Sequence, residues 1–257
     1  MILGIIQARL GSTRLPGKVL MDIEGKTMLE RVWQRCGETM GVGRWIVAIP
    51  EGEPELAAYV VGHWGKEALS IGIGIDPQDV LSRFTQAFVG KLWPHWIVRV
   101  TADCPLWDSV EAERVLLCPK VPIQYVHNIG PSTDGTDVEL ITPFELVHAV
   151  REAKGAIREN VTQWTRENRV HLVVPHPGPP VHLSVDTQED LDHVRAIVRR
   201  LDQGELTQRR WRDVVRVHQE IMGGGGDDAL RGRICEAPSL GLGSHGTTSD
   251  PSETQSD

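Results

Sequence analysis

Cysteine is scarce in this chain and never arranged for metal or disulfide chemistry. Its four cysteines, Cys36, Cys104, Cys118 and Cys235, include no CxxC pair and match no zinc spacing. They read as reduced thiols of a cytoplasmic protein. No apolar run is long enough to span a bilayer, and Met-Ile-Leu-Gly-Ile-Ile at the N-terminus lacks the basic segment of a signal peptide. A membrane partner is therefore not expected. Among ten histidines none has HExxH or HxxxH spacing. The loop after the first apolar run is not GxGxxG, and the other common phosphate signature, GxxxxGK[ST], is missing from the chain. So is an excess of positive charge: the formal net charge is -8, shared between the body and a terminal stretch with six acids and two bases. An acidic body argues against a nucleic-acid polymer as partner. An anionic ligand then needs a local cationic pocket.

Such a pocket is suggested at once. Ile2 to Ile6 reads as a buried strand that empties into a loop carrying Arg9, Gly11, Ser12, Arg14, Gly17 and Lys18. Glycines let backbone N–H groups approach phosphate oxygens, while Arg and Lys neutralise their charge. Arg9 and Arg14 suit forked contacts, Lys18 a point charge and Ser12 a hydroxyl donor. A bare strand-to-helix turn needs one glycine and no cation. Stray charges on a solvated loop are the bland alternative, and they leave the coincidence of charge, glycine and strand end unexplained.

Further along, helix and strand patterns alternate. Strands are expected at Trp45–Ile49, Ala68–Ile75, Trp96–Val100, Gln124–Val126, Asp137–Ile141, Val170–Val174 and Val181–Val185. Helices are expected at Thr27–Cys36, Glu53–Trp64, Asp76–Phe88, Val110–Leu117, Pro143–Ala153, Glu159–Glu167 and Thr187–Leu201, the last with Thr187 as N-cap and Asp190 three residues on. The alternation predicts an α/β fold, a mostly parallel sheet with helices on both faces. Residues 1–222 read as one domain. Residues 223–257, opened by four glycines and free of aromatics, read as a disordered tail.

Ligands of such sheets bind at the carboxyl ends of strands. Two carboxylates have that address. Asp103 follows Trp96–Val100 in the turn Thr101-Ala102-Asp103-Cys104-Pro105, and Asp186 follows Val181–Val185. Each could hold Mg²⁺ beside phosphates, a role the nearby loop favours for Asp103; the alternative is a cap on a local turn or helix, which suits Asp186 as well. Asp137 and Glu139, two apart, share one strand face and could meet hydroxyls, or simply face solvent. Arg158 opens a helix pattern, against the dipole preference, and is a candidate anion contact.

With these residues in hand, the chain resembles the cytidylyltransferase family that makes CMP-activated sugar acids, and most of all its SpsF-type branch. The likeness runs from Ile2 to Leu201. It is carried by Ile5-Ile-Gln-Ala-Arg-Leu-Gly-Ser-Thr-Arg-Leu-Pro-Gly-Lys18, Asp79-Val-Leu-Ser-Arg83, Arg99-Val-Thr-Ala-Asp-Cys-Pro-Leu106, Asp134-Gly-Thr-Asp-Val-Glu139, Arg158-Glu-Asn-Val-Thr162 and Leu183-Ser-Val-Asp-Thr187. Ala102 and Asn160 depart from it, standing where the branch usually has glycine and histidine. The resemblance implies a GT-A-like nucleotidyltransferase domain with CTP as substrate, Mg²⁺ as cofactor, an anionic small-molecule acceptor and surface-polysaccharide biosynthesis. Homodimers are common in the family. Arg9, Gly11, Ser12, Arg14 and Lys18 would hold the triphosphate, with Lys18, Arg9 and Asp103 as the catalytic set. Gln7, Ala8, Arg83, Thr101 and Ala102 would lie near the nucleoside. Asp103 and Asp186 would hold the metal, and Asp137, Glu139 and Arg158 the acceptor. Another nucleotide, a non-sugar acceptor such as a phosphorylated polyol, or a catalytically inactive binding protein stay open as alternatives.

Overall fold

The first apolar run forms a strand because both of its faces find partners. In β1 (Ile2–Gln7), Leu3 and Ile5 pack against one layer of helices while Ile6 packs against another. A strand buried on both sides is what a continuous apolar run demands. The computed structural model describes residues 1–90, 93–118, 122–130, 134–202 and 210–223, so the expected tail lies outside the described residues save for Gly223.

After β1 the chain makes a short hairpin, β2 (Asp22–Ile23) and β3 (Lys26–Thr27), and then α1 (Met28–Gly37). There follow β4 (Val42–Pro50), α2 (Pro54–Trp64), β5 (Leu69–Gly72), α3 (Val80–Gln86), β6 (Trp96–Thr101) and α4 (Ser109–Leu116). The rest is β7 (Tyr125–His127), β8 (Glu139–Ile141), α5 (Pro143–Glu152), α6 (Gln163–Asn168), β9 (Leu172–Val173), α7 (Gln188–Asp202) and α8 (Trp211–Ile221). The main sheet has the order β5-β4-β1-β6-β8-β7-β9. Its β5-β4-β1-β6 half is parallel, β8 is antiparallel to both neighbours, and β7 and β9 pair in parallel. The expected α/β fold is therefore the observed one.

Three apolar cores hold it. One lies under α1, α2 and α4, a second under α3 and α5. The third is a satellite in which Leu191, Val194, Ile197 and Leu201 of α7 meet Trp211, Val214 and Val215 of α8. Leu15, Ile23, Leu106, Leu183 and Val185 complete it. This third core fastens the chain before α7 to the loop after β1. Thr187 and Asp190 exchange hydrogen bonds at the start of α7 (3.2 and 2.8 Å), the reciprocal cap expected there.

Four expectations need correction. Val181–Val185 is not a strand: its one ladder contact is a bridge from His182 to Asp134. Its alternating valines are extended because they feed the third core, not a sheet. Asp137 stands before β8 rather than in it. The expected helix Glu159–Glu167 is a 3-10 turn, Gly155–Glu159, followed by α6. The helix expected at Asp76–Phe88 begins only at Val80, because Asp79 is its cap and its carboxylate accepts from Ser82 N–H at 3.0 Å.

Candidate active site

The parallel register sets Gln7 of β1 opposite Thr101 of β6, so the loops that follow leave the sheet side by side. The first loop doubles back where Gly17 N–H donates to Leu10 O at 2.9 Å. Gly17 has φ 72, a left-handed turn that suits glycine. Lys18 thereby enters a 3-10 turn, Lys18–Leu20, with its side chain buried under the loop. Asp103 sits in the turn after β6. Val185 N–H donates to Asp103 O at 2.9 Å, and that bond brings the next residue, Asp186, beside Asp103. The segment is steadied from its other side by Asp134, which accepts from Leu183 N–H at 3.1 Å. Gly135 (φ 88) makes the close approach feasible, since a Cβ there would stand 2.7 Å from Ser184 N.

Lys18 joins the two carboxylates. Its Nζ donates to Asp103 Oδ2 at 2.9 Å, Asp186 Oδ1 at 3.0 Å and Val185 O at 2.6 Å. Burial works against the ammonium, but the attraction of Asp103 and Asp186 outweighs it and holds the lysine pKa above its usual value of 10.5. Burial likewise opposes the Asp103 carboxylate, and Lys18 outweighs it, so Asp103 stays below 3.8. Asp186 Oδ2 meets Arg14 Nη2 at 2.9 Å.

Around this cluster is a cavity of about 250 Å³ lined by Gln7, Ala8, Arg9, Ser12, Thr13, Arg14, Lys18, Val19, Arg83, Thr101, Ala102, Asp103 and Asp186. A wider cavity of about 600 Å³, near Arg31, Leu106 and Val198, shares none of these residues. Among the residues lining the smaller one is a buried cation for which, among the described residues, no ion pair is formed, although Glu53 and Asp79 attract it. Arg83 is 2% exposed, its Nη1 donates to Pro77 O at 2.9 Å, and its Nε has no partner. Burial, and then repulsion from Arg9, lower its pKa. A buried guanidinium with a donor left idle is a feature that asks for an explanation. Arg9 is parked on weak, exposed partners, Gln78 at 3.3 Å and Glu159 at 3.2 Å, which a phosphate can replace. Ser12 Oγ accepts from Leu15 N–H at 3.3 Å and keeps its own proton to donate.

The oxygen set at Asp103, Asp186 and Val185 fits a hard divalent cation, because all three atoms already converge on one positive charge. Among the described residues no group of three or more Cys, His, Asp or Glu side chains makes a metal site. Two carboxylates suffice for Mg²⁺ where phosphates and water complete the shell.

A family model described as cytidylyltransferase matches residues 3–202. The chain belongs to the cytidylyltransferase family. Spore coat polysaccharide biosynthesis protein SpsF of Bacillus subtilis is 27% identical over 210 residues, covering 76% of this chain and 85% of that one. A 3-deoxy-manno-octulosonate cytidylyltransferase of Rhodospirillum rubrum is 47% identical over 184 residues, covering 69% and 68%. A cytidylyltransferase structure from Leptospira borgpetersenii superposes with a TM-score of 0.74 at 21% identity, covering 92% of this chain and 99% of that one. The protein is thus a CTP-dependent nucleotidyltransferase.

Four of the expected site residues do not line this cavity. Gly11 is exposed, and a Cβ there would meet open space. Arg158 is a strut between helices, near the end of the 3-10 turn rather than at a helix start: its guanidinium bonds Asp79 (2.9 Å), Ser82, Val150 O (2.7 Å) and Ala153 O. Glu139 is 1% exposed and held by Arg99 and by Tyr125, whose hydroxyl donates at 2.6 Å. Burial opposes its charge, but Arg99 prevails and lowers its pKa. Asp137 is half-buried in the turn before β8; burial, then Asp134 and Glu139, push its pKa up to about 7.

Two site residues went unread in the sequence. Glu53 accepts from Leu10 N–H at 2.9 Å and braces the loop, and nothing in its sequence surroundings marks it. Arg99 did leave a signal: a cation inside an apolar strand needs a buried counter-charge, here Glu139. Arg99 Nε also donates to Gln7 Oε1 at 3.2 Å. Arginine has no acceptor, so the Gln7 carbonyl must face it and the amide NH₂ is turned away from it. Among the described residues, no helix is long and apolar enough to cross a membrane.

Proposed function

We propose that this cytidylyltransferase transfers CMP from CTP to a sugar acid or related anionic acceptor, releasing pyrophosphate, in surface-polysaccharide biosynthesis. One observation carries the reading: Lys18, Asp103 and Asp186 meet in a cavity roofed by a loop with Arg9 and Arg14. The names of the SpsF and octulosonate relatives support the class of acceptor. Arg9, Ser12, Arg14 and Lys18 hold the triphosphate and spread the charge that grows on it. Arg83, Gln7, Ala8, Thr101 and Ala102 surround the nucleoside. Asp103 and Asp186 would hold Mg²⁺, which supplies Lewis-acid neutralisation of the phosphates when bound.

An acceptor oxygen forms a bond to the α-phosphorus as the bond to the bridging oxygen breaks, and pyrophosphate departs with the electron pair. Asp137, pushed up to about 7 mainly by burial, would be suited to take the proton of a hydroxyl acceptor bound beside it. Glu139 and Arg158, whose groups are spent inside the protein, are given no acceptor contact.

The reading is tested by pyrophosphate release over four nucleoside triphosphates with Mg²⁺ and a panel of sugar acids, 3-deoxy-manno-octulosonate among them, and sugar phosphates. Turnover selective for CTP is expected. Nucleotide binding without turnover on any acceptor would overturn it. Asp103→Asn should lower turnover at least about a hundredfold. Its unfolding midpoint should move by only a few degrees, because Lys18 keeps Asp186 and Val185 O.

A further inference from the structure

An ammonium group has three protons to donate. Lys18 spends all of them inside the protein, on Val185 O, Asp103 Oδ2 and Asp186 Oδ1 at 2.6 to 3.0 Å. Its side chain is 9% exposed. In this arrangement nothing remains for a phosphate oxygen. The oxygens that hold it come from separate stretches, the turn after β6 and the segment before α7, and converge on one point. Oxygens so disposed would serve a divalent cation as well as they serve the ammonium. They cannot serve both, since two cations within a few ångströms in a partly buried site repel each other strongly.

We propose that Lys18 is the resident cation of the Asp103–Asp186 site, competes with the divalent metal for it, and turns to the triphosphate only when the metal displaces it. The proposal rests on Asp103 and Asp186 being the metal carboxylates. Nothing but side-chain rotation is required. Lys18 begins the 3-10 turn at the end of the cationic loop and already lines the cavity, so its four-carbon stem can carry Nζ from the carboxylates into the phosphate space. Arg14 on Asp186 Oδ2 is 63% exposed and gives way easily. The metal-free protein thus keeps two close carboxylates apart in charge terms, and its phosphate lysine is withheld until the metal is in place. Triphosphate affinity should then depend on metal through Lys18 as well as directly.

The test is Mn²⁺ binding to the nucleotide-free protein, read from the electron paramagnetic resonance of free Mn²⁺. Lys18→Met keeps the apolar stem and removes the charge. It should bind Mn²⁺ about tenfold more tightly than wild type, because apparent affinity falls with the fraction of sites a competitor occupies. Equal or weaker binding overturns the competition and leaves the metal site standing. No Mn²⁺ bound by either protein overturns the metal site and the competition together. Lys18→Met leaves two carboxylates facing each other, so a wild-type measurement stands beside it in case the variant fails to fold. In protein labelled with ¹⁵N-lysine, the Lys18 ammonium signal should be sharp and protected without metal, and should shift or vanish with Mg²⁺ alone. A protected signal that Mg²⁺ does not move overturns the proposal.

Discussion

Glu139 illustrates how a side chain near a site can serve it without touching ligand. Its two oxygens are taken by Arg99 and by the Tyr125 hydroxyl, and burial leaves no face for an acceptor. Arg99 in turn fixes which way the Gln7 amide points, and Gln7 lines the cavity. Removing one member of such a pair strands the other charge in a low-dielectric interior; removing both need not. Glu139→Gln should therefore cost about 3 kcal/mol in urea unfolding while keeping an acceptor for Tyr125. Arg99→Met combined with Glu139→Gln should regain most of that stability. Turnover, followed by pyrophosphate release, should be low in the double variant, because there Gln7 has lost Arg99 as its anchor. A double variant with wild-type turnover would show that Gln7 needs no such support. The alternation of Asp137 and Glu139 is visible in the sequence, but which acid meets an arginine forty residues earlier is a matter of strand pairing, which no local pattern carries.

Elements outside the sheet decide where Asp186 stands. The satellite core under α7 and α8 holds Val185, and Val185 carries its neighbour to Asp103. One buried carboxylate ties this satellite to the main body. Asp108 Oδ1 caps α4 by accepting from Val110 N–H at 2.8 Å and Glu111 N–H at 3.1 Å, while Oδ2 accepts from the first N–H of α8, at Trp211. Asp108→Asn can keep the cap on α4 but must turn an NH₂ toward another N–H. It should cost about 1 to 3 kcal/mol, the usual range for a buried donor left without an acceptor. The loss should fall on α8: amide hydrogen exchange at Val214, Val215 and Val217 should rise more than in α4. Unchanged protection in α8 would mean that the apolar contacts alone hold it. The pattern of α7 is plain in the sequence because its buried residues recur at helical spacing. That of Val181–Val185 misleads, since alternating valines look the same whether they enter a ladder or lie extended on a helix pair. The hairpin before α1 passes unread because its strands are two residues each.

At the scale of the whole molecule the parallel half of the sheet is legible because Ile2–Ile6, Trp45–Ile49 and Trp96–Val100 are buried on both faces and so need no alternation. What composition does not reveal is where the titratable groups finish. Asp137 is raised to about 7 by burial, with Asp134 and Glu139 adding to it against Arg99 and Arg166. His127 is lowered to about 4, mainly by burial, and so is His176. These groups oppose one another. From about pH 4 to 6.5 the unfolded histidines bind more protons than the folded ones, so their contribution to stability rises with pH. Over about pH 4 to 7 the folded Asp137 binds more protons than the unfolded one, so its contribution falls with pH. Carboxylates with lowered values, Asp103 and Glu139 among them, add stability above about pH 4 that is lost in acid, and they are common to any variant at Asp137. Asp137→Asn isolates the falling component. Its unfolding free energy, compared with wild type at each pH, should gain steadily from pH 4 to 7, by on the order of a few kcal/mol, and level off above. A difference that stays flat across that window would mean that Asp137 is already charged at pH 5, and would remove it as the group that accepts the acceptor's proton.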